Sequence, residues 1–259
     1  MFGRFVAAPA AMPWSNAATP IAAFIVLFIF LIILILPILN RRKSKRYLAE
    51  PASIIQAPTQ MDEQDTRQFN PLADNLDAVF ADCRATGSFR DLQFENCVFE
   101  RCDFGRASLE NLAFVDCRFL DSDLTMTDLP DSTFNGAVFE RCRLRGIDWT
   151  RISAALLTVE FHECVLDYAN FEGMKLKKTP FLKCSLMEAS FERADLRESV
   201  FTGSRFTKTS FHGADLRQAD FRDTEDLALD LSACQCRGLK LRLADARGTL
   251  QMQGVKVSP

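Results

Sequence analysis

A large apolar residue recurs at every fifth position along most of this chain, and few folds can use that spacing. In residues 189–223 these residues are Phe191, Leu196, Phe201, Phe206, Phe211, Leu216 and Phe221. Two positions before each stands a small one: Ala189, Ala194, Ser199, Ser204, Thr209, Ala214 and Ala219. A helix repeats every 3.6 residues and a strand every 2, so a period of five belongs to a repeat architecture of its own. The register runs back through Leu186, Phe181, Leu176, Phe171, Leu166 and Phe161 to Leu156. A second run, offset by two residues, goes from Phe89 through Phe94, Phe99 and so on to Phe139, Leu144 and Trp149. The step from Trp149 to Leu156 is seven residues, which implies a two-residue insertion near 150–153.

Taking every fourth of these centres sorts them by type. One column reads Phe99, Phe119, Phe139, Phe161, Phe181, Phe201 and Phe221, all phenylalanine. Another reads Phe94, Phe114 and Phe134, then Leu156, Leu176, Leu196 and Leu216, switching type once, at the insertion. Like side chains stacked at strand spacing fill space with little void, so the pattern predicts coils of four repeats with ring stacks inside. The triplets Ala194-Asp195-Leu196, Ala214-Asp215-Leu216 and Ala219-Asp220-Phe221 resemble the A-(D/N)-(L/F)-x-x motif of the pentapeptide-repeat family. The resemblance covers most of the chain. It implies an all-β fold, a right-handed four-sided (quadrilateral) β-helix solenoid with one pentapeptide on each side, here over residues 89–246.

The N-terminal part has a different composition. Residues 1–19 form a lead with one charge, Arg4, and residues 20–39, PIAAFIVLFIFLIILILPIL, carry none. Twenty residues at about 1.5 Å each span about 30 Å, the hydrocarbon thickness of a bilayer. The stretch therefore reads as a single transmembrane α-helix over residues 20–40. A cleaved signal peptide is the competing reading, but it requires charge before a shorter apolar run. Here the charge follows, as Arg41, Arg42, Lys43, Lys45 and Arg46. That lipid-facing basic cluster predicts a single-pass protein with its C-terminal side in the cytoplasm, N-out and C-in. Residues 47–68 contain Pro51 and Pro58 without a period and read as a tether, making 41–68 a basic flank and linker. Residues 69–88 read as an N-terminal cap, with Leu72, Leu76, Val79 and Phe80 on one short helix. A solenoid needs such covers over its terminal edges.

Beyond Phe221 the pattern decays. The in-register position Asp226 cannot face an apolar core at low cost, so a distortion is expected there. Leu229, Leu231, Leu239 and Leu241 suggest looser coils to about Ala246, and residues 247–259 read as a tail, frayed or ending in a strand, with no evident helix.

The residues that carry chemistry are few. The only two histidines, His162 and His212, each follow a centre and point outward. Ten repeats separate them, which places them on opposite sides of a four-sided coil. Seven of the nine cysteines (Cys97, Cys102, Cys117, Cys142, Cys164, Cys184 and Cys234) occupy the small slot two before a centre. Free cysteine packs there as a small hydrophobe. Cys97/Cys117 and Cys164/Cys184 fall in adjacent coils, near enough for a disulfide by Cα distance, but a cytoplasmic domain keeps them reduced. No C-x2-C pair, phosphate loop or nucleophile–base set is present. No catalytic residue, cofactor or metal is expected, and an enzyme is not.

Function then rests on the outward faces. Lys177, Lys178, Arg197 and Arg217 gather on one side, and Glu110, Asp131, Glu172 and Glu192 on the next. Outward apolar residues are few: Val115, Leu120, Leu182 and Met187 form the candidate protein-contact patch. The resulting expectation is a membrane-anchored, non-enzymatic protein–protein interaction scaffold, or an accessory or structural subunit of a membrane complex, with protein partners and no nucleic acid. The family resemblance also implies an alternative, a DNA-mimicking modulator of a type II topoisomerase. Such proteins are more acidic than this one, whose residues 69–259 carry 24 basic and 30 acidic residues, net −6, with both signs interspersed.

Overall fold

Each five-residue unit folds in the same way. The large residue points inward, its two neighbours point outward, and the chain turns at the second residue after it. That corner residue takes a left-handed backbone: φ is 53° at Arg101, 50° at Asp121, 56° at Glu163 and 54° at Lys183. Left-handed backbone costs an L-residue about 1–2 kcal/mol. A ladder bond offsets the cost, because the corner N–H donates into the next coil, Arg101 to the Leu120 carbonyl at 2.9 Å and Glu163 to the Leu182 carbonyl at 2.8 Å.

Four units close one coil, and coils stack in parallel register. The computed structural model describes residues 54–55, 76–153, 157–244 and 246–254. The chain divides into two compact units, Met1–Glu50 and Pro51–Pro259, and all described residues belong to the second. That unit is a right-handed β-solenoid. Strands β1 (Ile54–Ile55), β2 (Val79–Ala81), β5 (Val98–Glu100), β8 (Arg118–Leu120), β9 (Thr133–Glu140), β10 (Thr158–His162) and β11 (Phe181–Leu182) lie side by side in that order. Strands β4 (Gln93–Glu95) and β7 (Ala113–Val115) join the same sheet through β9, while β3 (Ser88–Arg90) and β6 (Ser108–Glu110) pair on a third side. Strand β9 holds both Phe134 and Phe139 and so turns a corner within one strand. Gly136 makes that corner with φ 72°, where any Cβ would collide with the Asp116 carboxylate.

After β11 the coils pair by single bridges such as Ser185↔Arg205 and Asp195↔Asp215. Their corners are closed by turn bonds, as from Ala194 N–H to the Phe191 carbonyl at 3.2 Å, which leaves less extended chain on each side. Corners without that bond satisfy the amide differently: the Cys102 and Cys184 N–H groups donate to Oγ of Ser122 and Ser204, both at 2.9 Å.

The interior is a set of ring stacks. Along the all-phenylalanine side, Phe99, Phe119 and Phe139 follow one another at centroid separations of 4.8 and 4.7 Å with planes 12° apart. Across the core, rings meet edge to face, as Phe171 meets Phe181 at 83°. Both arrangements are the favoured ones for aromatic quadrupoles. Trp149 continues the third side, stacked on Phe171 at 5.6 Å, with its buried indole N–H lacking a partner.

The sequence expectations are altered in four places. Phe80 is not on a cap helix; it lies in β2 and stacks on Phe99 at 5.0 Å, so the first coil begins inside the segment read as a cap. Phe80 buries a whole ring this way, which a helix at the open end would not allow. Ile54–Ile55, read as tether, is a strand paired with Val79–Phe80, which covers the first edge. The extra residues follow Ser153: its N–H still donates to the Ser132 carbonyl at 2.9 Å, whereas Thr158 pairs out of register before Val159 realigns. Leu156, taken as a centre, lies outside the described residues, and Leu157 packs partly against the core. At the other end the distortion expected at Asp226 is present: it is exposed with φ 55°, and Leu227 takes the inward place at 3% exposure. A helix α1 (Arg247–Met252) follows, where a tail without one was expected.

The expected transmembrane helix over residues 20–40, the cluster Arg41, Arg42, Lys43, Lys45 and Arg46, and Leu72 lie outside the described residues. Among the described residues no helix is long and apolar enough to cross a membrane.

Candidate interaction face

The side built on the phenylalanine column is the most extended β-surface of the rod. Residues just before the column form one outward row and those just after form another. Val98, Arg118 and Val138 are in register in the first, and Leu120, Glu140, His162 and Leu182 in the second. Pro180 and Val200 continue the first row toward the C terminus. Alternating aliphatic and charged residues therefore tile a flat surface whose backbone is fixed by the core beneath it.

Of the four residues expected to form a contact patch, this side holds two. Leu120 and Leu182 share one row, separated by Glu140 and His162. Val115 lies on the preceding side, beside Glu95 and Asn135. Met187 lies on the following side, where its N–H donates to Oδ1 of Asp167 at 3.1 Å. All four are half-buried. More exposed are Leu243 at 85% and Leu76 at 52%, near the two ends of the described residues, and, mid-rod, Met126 at 57% and Tyr168 at 47%. Met126 and Tyr168 are corner residues, two after Leu124 and Leu166, with Gly146 at the corner between them. The Arg145 guanidinium lies 5.5 Å from the Tyr168 ring centroid. Their common signal in the sequence is spacing: each stands two residues after a centre of the same column.

Charge on the rod is neutralised locally. Arg141 holds both Asp121 oxygens, at 2.7 and 2.9 Å, from the next coil. Arg197, Arg217 and Arg222 each clasp the aspartate two residues earlier, Asp195, Asp215 and Asp220, with Nη2 at 2.6, 2.6 and 2.7 Å. The arginine hydrogen bonds hold Asp121, Asp195, Asp215 and Asp220 below the usual carboxylate range.

A pentapeptide repeat region model matches residues 87–171, and a model of pentapeptide repeats in eight copies matches residues 184–223. The chain belongs to the pentapeptide-repeat family. Its rod is similar to two trypsin-treated variants of QnrB1, a plasmid-mediated fluoroquinolone resistance protein. The first matches with a TM-score of 0.59 and 22% identity, the second with 0.50 and 24%. Each match covers 71% of this chain and 89% of the other. At that identity the likeness carries the fold. No curated protein sequence matches the chain.

In this pentapeptide-repeat rod the slot cysteines cap backbone carbonyls. Cys117, Cys142 and Cys184 direct Sγ to the carbonyls of Phe94, Phe119 and Phe161 in the coil before, at 3.4, 3.3 and 3.5 Å. Ser122 and Ser204 do the same in their places in the column, to Phe99 at 3.1 Å and Phe181 at 2.8 Å. None of the nine cysteines is in a disulfide. The Cys142 thiol is pushed well above its ordinary range by its neighbour Cys164 and by burial, and Cys164 chiefly by burial. Cys234, near the looser end, is raised by burial to about 11. Among the described residues no three or more His, Cys, Asp or Glu side chains group as metal ligands. His162 faces outward, with Nε2 3.1 Å from Oε2 of Glu160, and His212 is exposed in a different column.

Proposed function

We propose that this protein is a non-enzymatic interaction scaffold, anchored in a membrane by residues 20–40, that docks a protein partner on its flat phenylalanine-backed side. The observation that carries this reading is the in-register row of Leu120, Glu140, His162 and Leu182 beside Val98 and Val138. A rigid surface of this kind loses little conformational entropy on binding. Its mixed aliphatic and charged composition is that of ordinary non-obligate interfaces. The basic cluster after residue 40 favours the cytoplasmic side for the rod, and a permanent subunit of a membrane complex would use the same surface.

The test is affinity isolation of the full chain from detergent-solubilised membranes, compared with a Leu120→Arg/Leu182→Arg double variant. The expected result is a specific set of proteins with the parent and its loss from the variant, with the unfolding midpoint unchanged. The same set with both chains would remove this side from consideration.

The second reading, a DNA-mimicking modulator of a type II topoisomerase, is favoured by the likeness of the rod to a fluoroquinolone resistance protein. A mimic needs rows of unneutralised carboxylates. On this rod Asp82, Asp121, Asp123 and Glu225 each pair with an arginine of a neighbouring coil, which weakens such a field. Relief or inhibition of purified gyrase supercoiling by the full chain would restore this reading.

A further inference from the structure

We propose that a second side of the rod, in its C-terminal half, seats against an anionic lipid surface. This rests on the membrane-anchored reading above and names which side of the rod the bilayer meets. The bridges Lys175↔Asp195, Asp195↔Asp215 and Asp215↔Gln235 fix the register of four successive coils there. Two residues further along each strand stand Lys177, Arg197, Arg217 and Arg237, which therefore form a row of cations at about the 4.8 Å spacing of strands. They line an open cleft of about 390 Å³ together with Glu198 and Gln218.

The carboxylates present do not cancel this row. Asp195 occupies Nε and Nη2 of Arg197 and Asp215 those of Arg217, with Asp215 also 3.6 Å from Nε of Arg197. A guanidinium has five N–H donors, so Nη1 of Arg197 and Arg217 keeps its pair for a ligand. Glu198 is shared between Lys177 at 3.1 Å and Lys178 at 3.4 Å. With Lys175, the side holds six cations against three carboxylates, on a rod whose residues 69–259 are net −6. The excess positive charge is thus concentrated on one side of an otherwise acidic body.

The occupant with the matching chemistry is a plane of phosphate-bearing headgroups. Seven residues, Tyr47–Ser53, separate the basic cluster from Ile54, and such a segment reaches at most about 25 Å. A rod held that close meets anionic headgroups at high effective concentration, and the attraction decays within a Debye length of about 10 Å. A single row of cations suits a flat surface better than a duplex, which calls for a curved track of contacts.

The experiment is lysine acylation footprinting, read by mass spectrometry, on the full chain reconstituted into vesicles. One set contains phosphatidylcholine alone, the other phosphatidylcholine and phosphatidylglycerol in equal parts. Lys175, Lys177 and Lys178 should acylate several-fold more slowly in the anionic vesicles, and high salt should abolish the difference. Lys183, Lys208 and Lys240, on other sides, should be unaffected. An Arg197→Gln/Arg217→Gln variant should lose the protection while still floating with the vesicles. Equal rates in both vesicle types, for a chain that floats with both, would overturn the seat and leave the anchor standing. A chain that floats with neither overturns both. Equal protection by a DNA duplex in place of the anionic lipid would overturn the lipid assignment.

Discussion

Phe161 is fully buried between Phe139 and Phe181, with ring centroids 5.4 and 5.1 Å away. Its neighbour His162 faces outward beside Glu160. Phe161→Ala opens a hole in a continuous stack and should cost about 3–5 kcal/mol. Phe161→Leu should cost less, because leucine fills equivalent places in neighbouring columns, and His162→Ala should stay within about 0.5 kcal/mol. Denaturant midpoints of the three variants check the order; equal effects of the two alanine changes would place the register one residue out. The cysteines make a second prediction at this scale. Cys97 and Cys184 are buried, and Cys184 directs Sγ to carbonyls. Both should label slowly with a thiol reagent until the rod unfolds, whereas Cys234 and Cys236, only partly buried, should label first. Rapid labelling of Cys97 or Cys184 in the folded chain would contradict the slot assignment. What can be read at residue scale follows from chemistry: a ring or branched chain is required inside at every fifth position, and it shows in the sequence. The corner is different. Glycine, aspartate and asparagine hold many corners, but Arg101, Met126, Glu163 and Lys183 take the same left-handed backbone, so residue type marks the geometry only in part.

At the scale of elements, α1 shows why the C-terminal end escaped a reading by pattern. The helix has only six residues, and Ala246 at its N-cap gives no side-chain cap bond. What holds it is tertiary contact: Thr249 is 1% exposed, and its Oγ1 accepts the Leu229 N–H at 3.1 Å. Gly248 lies so close to the Leu227 carbonyl that an added Cβ would collide with backbone. In an exposed helix Gly→Ala stabilises by about 1 kcal/mol. Here Gly248→Ala should destabilise the chain, by lifting α1 from the last coil and exposing Leu227 and Leu229. Raised hydrogen exchange at the Leu229 amide would report the lift, and a higher unfolding midpoint would show that the helix packs elsewhere. The place of the insertion is hidden in the sequence for a related reason. Ile152 and Leu157 are both apolar, and the pattern alone does not say which keeps the register. The ladder bond at Ser153 does. Leu76, Val79 and Phe80 also fit a helical spacing, and only the stack of Phe80 on Phe99 distinguishes strand from helix.

At the scale of the molecule, the five-residue period and the four-repeat coil were legible because every coil repeats the same inward chemistry. The outward surface was legible only in part: Arg197, Arg217 and Arg222 pair two residues back, but other pairings join residues about 20 apart, as Arg141 joins Asp121, and no local motif announces those. The orientation of the whole chain makes the last prediction, and the cysteines supply its internal control. If the basic residues after position 40 hold the C-terminal side in the cytoplasm, a reporter fused after Pro259 should be active only in a form that needs the cytoplasm. The rod should then be recovered with all its thiols reduced. Cys97 and Cys117 occupy the same slot in adjacent coils, as do Cys142, Cys164 and Cys184 in the next column. An oxidising compartment would bridge such neighbours wherever the geometry permits. Reporter activity that needs an exported location, together with a loss of free thiols measured under denaturing conditions, would reverse the orientation. Those bridges would also remove the thiol donors that now cap the phenylalanine carbonyls, so the exported chain should differ in stability as well as in topology.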